Sequence, residues 1–370
     1  MNRLAASIAI ILAACASPGV PPGGPVDTEA PQIVKIVPDS GKTGTTPPAV
    51  IFRFNEVVSE RPSGAPSLTG LFIISPLDGE PRVHWSREEI SVKPRRRWKA
   101  NTAYTITMLP GLSDLRGNTR NTGAVTLFST GGTIPAGKIT GALYNWAEAR
   151  AINRSGFVQA WPRGDTTTMY ITTVDSAGSY VLDHLPPGQY VVRGLSDDNN
   201  NRGLDRREAW DTAAINLTDT ERLNLFAFIH DSLGTRLVSA TVRDSVTVDL
   251  SFESPLSLNQ PVTPSEVTVR APDSSAIGVL SVQPPPPDTT AAARALGRPI
   301  PPRTLTIKLS QPLRPKTSYR IRVARITSLS GVNRTGDILL STPEKLPAPP
   351  APAPKTPVAP PPPPPAPVRR

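Results

Sequence analysis

Hydrophobic residues in this chain fall in short alternating runs, cut by proline, glycine and Asn/Asp turns. Ile33 to Val37 leads into Pro38-Asp39-Ser40-Gly41, a turn. Val50 to Phe54 is the next strand, Tyr104 to Met108 alternates, and Val125 to Phe128 closes the unit before Ser129-Thr130-Gly131-Gly132. The spacing predicts about seven short strands over roughly 100 residues with no helical period, the pattern of an antiparallel sandwich. A second strand series follows: Phe157 to Trp161, Tyr170 to Val174 and Tyr190 to Arg193, with a hairpin turn at Asp175 to Tyr180.

The first unit recurs. Ala100 to Met108 parallels Pro315 to Val323, and Gly117-Asn118 parallels Gly331-Val332-Asn333. Thr126 to Thr130 parallels Ile338 to Thr342, and Val50 to Phe54 parallels Val246 to Phe252. Four matches in one order mark an internal repeat around a different middle. The fold class expected is all-β: tandem antiparallel sandwiches over 28–132, 137–217 and 235–343, ending in a disordered proline-rich tail, 344–370. Composition agrees, since 45 prolines argue against a mainly helical chain. One cysteine leaves no intramolecular disulfide and no cysteine-based zinc site.

That cysteine has a marked position. Arg3 and the apolar run Leu4 to Leu12 read as a signal, too short to span a bilayer, which takes about 20 residues. The run ends in Leu12-Ala13-Ala14-Cys15, which resembles the lipobox of bacterial lipoproteins. The resemblance implies removal of residues 1–14 and acylation of Cys15, so that membrane lipid (palmitate among the chains) is one partner. Ala16 lacks the aspartate that resembles an inner-membrane retention signal, which points to the cell outer membrane. Residues 15–27 then form a Pro/Gly tether.

Further residues resemble two families. Asp27-Thr28-Glu29-Ala30-Pro31, Phe54-Asn55-Glu56, Thr102-Ala103-Tyr104, Asp114-Leu115-Arg116-Gly117-Asn118 and Phe128-Ser129-Thr130 resemble the bacterial Ig-like domain of S-layer proteins. The copy at 235–343 is degenerate, with Ser254-Pro255 after its strand and a run of prolines, Pro284 to Pro287. Between them, the run Gly-x-Tyr then Leu185-Pro186-Pro187-Gly188-Gln189-Tyr190 resembles the carboxypeptidase regulatory-like domain, a prealbumin-like sandwich. These resemblances imply structural and binding modules without catalytic activity.

The strongest candidate site is the loop Asp197 to Glu208. Counting Asp197 as position 1, oxygens fall at Asn199, Asn201, Asp205 and Glu208, the spacing of a calcium loop. Arg202 stands where that pattern has glycine, and the same residues also suit a solvated Asn/Asp turn. Calcium is the one cofactor the chain suggests. Gly132 to Lys138 mimics a phosphate loop but has Ile139 where Ser or Thr must hold magnesium. Asn55-Glu56 and Asp114 could be paired carboxylates, though nothing in the sequence joins them. Arg95-Arg96-Arg97-Trp98-Lys99 suits nucleic acid chemically, but an exported chain is not expected to take it as partner; Trp98 is expected to pack. The expected role is a non-catalytic envelope scaffold, facing periplasm or cell surface, that contacts an envelope protein or polysaccharide. The alternative is a carbohydrate-binding or adhesin-like module, with Trp146, Trp161 and Trp210 as its candidate platform.

Overall fold

The computed structural model describes residues 26–347 except Arg154 and Asn200. The signal peptide, Cys15, most of the 15–27 tether and the tail from 348 onward lie outside the described residues. The chain divides into two compact units, residues 1–134 and 135–370. The Gly132–Lys138 segment runs across that division and contains no helix; Lys138 sits in a strand and pairs with Asp183 at 3.2 Å.

The first unit holds β1 (Ile33–Val37), β2 (Val50–Phe54), β3 (Phe72–Ser75), β4 (Arg82–Ser86), β5 (Glu89–Lys93), β6 (Ala103–Met108) and β7 (Ala124–Ser129). One sheet has the order β1-β2-β5-β4 and the other β3-β6-β7, all antiparallel. Alternation decides what is inside: Phe52, Ile90, Phe72, Ile106 and Phe128 are buried between the sheets. Strand β1 is the exception, with no fully buried residue and a bulge at Ile33–Lys35. Trp98 packs edge-on against Tyr104 and Phe128 and donates Nε1–H to the Pro47 carbonyl at 2.7 Å. Its ring is thus part of the core rather than a stacking surface. The Asp78 carboxylate holds the neighbouring backbone N–H groups of Arg95 and Arg96.

The second unit begins with β8 (Gly137–Asn145), β9 (Arg150–Ala151), β10 (Gly156–Pro162), β11 (Tyr170–Thr173), β12 (Ser179–Leu185), β13 (Gly188–Ser196), β14 (Ala209–Leu217), β15 (Thr220–Arg222) and β16 (Leu225–Ile229). Their order is β11-β10-β13-β14-β16-β8-β12, with β15 and β9 also against β8. The sheet extends beyond residue 217, because β15 and β16 pair with β8. Those two pairings are parallel, unlike the antiparallel order expected throughout. The parallel approach is close: a Cβ on Gly141 would lie 1.8 Å from the Leu223 carbonyl oxygen. The core comprises Ile139, Leu143, Val158, Val192, Leu182 and Leu225. Tyr190 of the Leu-Pro-Pro-Gly-x-Tyr run donates its buried hydroxyl to the Pro186 carbonyl at 2.7 Å.

The unit ends with β17 (Leu237–Asp244), β18 (Thr247–Phe252), β19 (Val267–Arg270), β20 (Ala276–Ile277), β21 (Val279–Gln283), β22 (Thr304–Leu309), β23 (Ser318–Thr327) and β24 (Asn333–Ser341). The orders β17-β18-β22-β21 and β20-β19-β23-β24 reproduce those of the first unit, with β20 as an added edge. A short helix, Ala291–Leu296, occupies the insertion, with Thr290 accepting from Ala293 N–H and Gly297 left-handed at its end.

Candidate functional site

Three places carry more chemistry than packing requires. The first is the loop between β13 and β14. Asp197 is fully buried and Glu208 nearly so. The Asp197 carboxylate accepts from Asn201 N–H at 3.0 Å and Arg202 N–H at 2.8 Å. Glu208 accepts from Asp198 N–H at 3.1 Å and Asp205 N–H at 2.9 Å. Asn199 and Asn201 both donate side-chain amides to Asp205 Oδ2, at 2.5 and 2.9 Å. All five expected residues therefore belong to one hydrogen-bonded loop. The three carboxylates among these five do not converge: among the described residues the one such group within 4.8 Å lies elsewhere. Arg202, at the position where a calcium loop has glycine, takes the left-handed backbone itself, at φ 59°. Its carbonyl accepts from Gln159 Nε2 at 3.2 Å, which pins the loop over β10.

That other group is Asp27, Glu56 and Asp114, at one end of the first sandwich. The sequence separates these residues widely, and only the 1-2-5-4/3-6-7 topology brings them together. Asn118 ties the end by donating its amide to Asp114 Oδ2 at 2.8 Å and to the Asp27 carbonyl at 3.0 Å. Burial and the neighbouring charges of Asp27, Asp114 and Glu29 push the Glu56 carboxyl above its usual range. Burial also acts to raise Asp114, but hydrogen bonds from Asn118, Arg116 and Gly117 outweigh it and hold Asp114 low.

The third place is the outer face of the middle sheet. Ala160, Val192, Ala209, Ala227 and Leu143 point into the core from β10, β13, β14, β16 and β8. Their neighbours must emerge on the opposite face. These are Trp161, Arg193, Trp210, Phe226 with Phe228, and Tyr144, half-buried on consecutive strands. The Arg193 guanidinium lies 4.8 Å from the Trp161 ring and 5.9 Å from that of Trp210. Its Nε is buried without a hydrogen-bond partner. His230 stacks on Trp210 at 3.7 Å and on Phe228 at 4.0 Å. Burial lowers the His230 pKa, against the Phe228 carbonyl and Asp211. Of the three tryptophans expected as a platform, Trp146 is covered. It is buried, donates Nε1–H to the Pro299 carbonyl at 2.9 Å, and carries Arg298 over its ring at 3.5 Å. The sequence reading missed Arg193, His230 and Phe228; the alternation along β13 up to Gly194 and along β16, continued one residue past its end to His230, is the signal that marks them.

Residues 27–130 match the family model of the bacterial Ig-like domain. That Ig-like domain carries the Asp27, Glu56 and Asp114 landmarks that meet at its end. No curated protein matches the chain significantly. Among solved structures, the N-terminal part of the bacterial S-layer protein SbsC is 14% identical, over 30% of this chain and 24% of that one, with a TM-score of 0.22. The chain thus spans about a quarter of that structure. A candidate carbohydrate-binding protein from Bacteroides uniformis is 13% identical over 56% of this chain and 99% of its own, at TM-score 0.19. An L,D-transpeptidase from Mycobacterium smegmatis is 14% identical over 54% and 76%, at TM-score 0.20. Likeness this low assigns no activity.

Proposed function

We propose that this chain is a non-catalytic binding module of the bacterial cell envelope, anchored by acylated Cys15 at the outer membrane. Its Ig-like and carboxypeptidase regulatory-like sandwiches act as a scaffold. They present the outer face of the middle sheet to an envelope polysaccharide. One observation carries the choice of polysaccharide over an envelope protein: Trp161 and Trp210 stand half-exposed on either side of Arg193. One face of Trp210 is taken by His230 and one of Trp161 by Arg193, so the rings offer their remaining apolar surface to the C–H faces of sugars, while Arg193 offers donors to hydroxyl or acidic groups. Trp146, by contrast, is covered: it is buried and spends its Nε1–H on the Pro299 carbonyl.

Two experiments test this reading. In fractionated cells, the wild type should sediment with membranes and Cys15→Ser should be released; two soluble forms would remove the anchor. In pull-down on insoluble envelope polysaccharide, Trp161→Ala/Trp210→Ala should lose retention. Retention equal to wild type would remove the platform.

A second reading concerns the Asp197–Glu208 loop, where Asn199 and Asn201 both converge on one oxygen of Asp205. Turning both side-chain oxygens inward would give the oxygen-rich set that calcium favours, at the cost of the bonds those oxygens accept from Asn201 N–H at 3.0 Å and Gly203 N–H at 2.6 Å. Millimolar calcium should then raise the melting temperature of wild type and not of Asp205→Ala. No rise in wild type would leave the loop a self-closed turn.

A further inference from the structure

A second surface adjoins the aromatic strip at His230. Between the middle and last sandwiches of the second unit lies a cleft of about 840 Å³, within the size range of small-ligand sites. Its walls come from the turn after β8, the β13–β14 loop, the linker after β16, the end of β18 and the β23–β24 hairpin. The linker is held across it: Asp231 N–H donates to Ser330 Oγ at 2.9 Å, and Thr235 and Ser254 exchange hydrogen bonds of 3.0 and 2.9 Å.

Five arginines line this cleft. Arg236 is engaged by Glu253 through two bonds, of 2.6 and 2.8 Å. Glu148, also in the lining, is held by Arg150. Arg206, Arg207, Arg303 and Arg334 are exposed and form no ion pair within 4.0 Å among the described residues, though Arg334 lies near enough to Glu253 to help hold its carboxyl low. Against them stands one further acid, Asp231, whose carboxylate already accepts Leu233 N–H at 2.6 Å. Leu233, 77% exposed, adds an apolar side chain to the lining. Four guanidinium groups, from the β13–β14 loop, the residue before β22 and the start of β24, surround one concave space. Like charges around a concave space raise its positive potential and draw anions into it.

Phe228 and His230 line the cleft and also belong to the aromatic strip, so the stacking face and the arginines form one continuous surface. We infer that the cleft binds the acidic groups of an anionic polysaccharide, carboxylate or phosphate, whose neighbouring sugars lie over Trp210 and Trp161. The inference rests on the binding-module reading and names the ligand class. Arginine suits it because its planar fork meets a carboxylate or phosphate with two bonds at once.

The test is calorimetric titration of the full chain with oligogalacturonate, with its methyl ester, which has the same sugars without charge, and with an inositol polyphosphate. Oligogalacturonate should bind at least tenfold more tightly than the ester, and its affinity should fall as salt rises. Arg303→Ser/Arg334→Ser should lose at least tenfold for oligogalacturonate and nothing for the ester. Arg206→Ser/Arg207→Ser, from a different loop, should do the same, with unchanged melting of both variants. The polyphosphate arm separates sources: tighter binding than oligogalacturonate assigns the cleft to phosphate groups, weaker binding to carboxylates. Equal affinity for acid and ester, with both lost in Trp161→Ala/Trp210→Ala, would overturn the cleft and leave the module reading standing. Failure of every probe to bind would overturn the cleft. Equal binding of polyglutamate would overturn the sugar specificity.

Discussion

The first and last sandwiches agree in their frame and oppose each other in charge at one end. At the frame, Tyr104 Oη accepts from Lys99 N–H at 2.7 Å, and Tyr319 Oη accepts from Arg314 N–H at 2.8 Å. Thr130 Oγ1 donates to the Lys99 carbonyl and accepts from Thr102 N–H; Thr342 does the same with Arg314 and Thr317. At the end, the bridge Val58–Asp114 becomes Leu256–Ser328, and Asn55 to Gln32 becomes Glu253 to Arg236. Glu56 is thereby matched by Ser254, and Asp114 by Ser328. Asn118 N–H donates to Asp114 Oδ1, and Val332 N–H donates to Ser328 Oγ. Two carboxylates have become hydroxyls with the backbone bonds kept, and Arg236, Arg303 and Arg334 surround the place. The lesson is that the sandwich is indifferent to what its loops carry, so function must be argued from the ends.

The shared frame gives the largest predicted effects. Tyr104→Ala and Tyr319→Ala should each destabilise their own unit by about 3–5 kcal/mol, the cost of removing a buried aromatic ring. Urea denaturation with a probe in each unit checks it, and unequal losses would break the equivalence of the copies. Tyr104→Phe and Tyr319→Phe keep the ring and orphan one backbone donor, for about 1–2 kcal/mol each.

The opposed ends give smaller effects. Ser254→Glu/Ser328→Asp restores the first copy's carboxylates in the second. Binding of oligogalacturonate should weaken about tenfold, or about 1.4 kcal/mol. Undiminished binding would mean that the end does not set the charge of the cleft. In the first copy, Glu56→Gln removes a carboxylate crowded by like charges. Because its folded pKa is raised, ionised Glu56 disfavours the native state as pH rises through that pKa. The substitution should therefore stabilise by about 0.5 kcal/mol at neutral pH, the scale of exposed charge pairs. The gain should vanish below about pH 4, where the unfolded carboxyl is also protonated. Melting curves at the two pH values decide it. Least of all, Glu253→Gln should leave the melting temperature unchanged and tighten oligogalacturonate binding by freeing Arg236.

The frame was legible in the sequence and the ends were not. Tyr104 and Tyr319 sit in runs that match position by position, and alternation alone places Phe52, Ile106 and Ile321 inside. Parallel pairing of β15 and β16 with β8 was not legible, since Thr220 to Ile229 alternates in the same way whichever direction its neighbour runs. The Asp197–Glu208 loop showed its spacing but not that its oxygens are turned to its own backbone N–H groups. Asp27, Glu56 and Asp114, like Arg206, Arg303 and Arg334, are remote along the chain. Strand order joins them, and strand order is a property of the whole sheet.

Affinity electrophoresis tests the account most directly. Wild type and Trp161→Ala/Trp210→Ala would run through native gels with and without embedded acidic polysaccharide, polygalacturonate. The account predicts that the polymer retards wild type and leaves the double variant at its polymer-free mobility. Equal retardation of the two would contradict it, because the middle sheet's outer face would then take no part in binding.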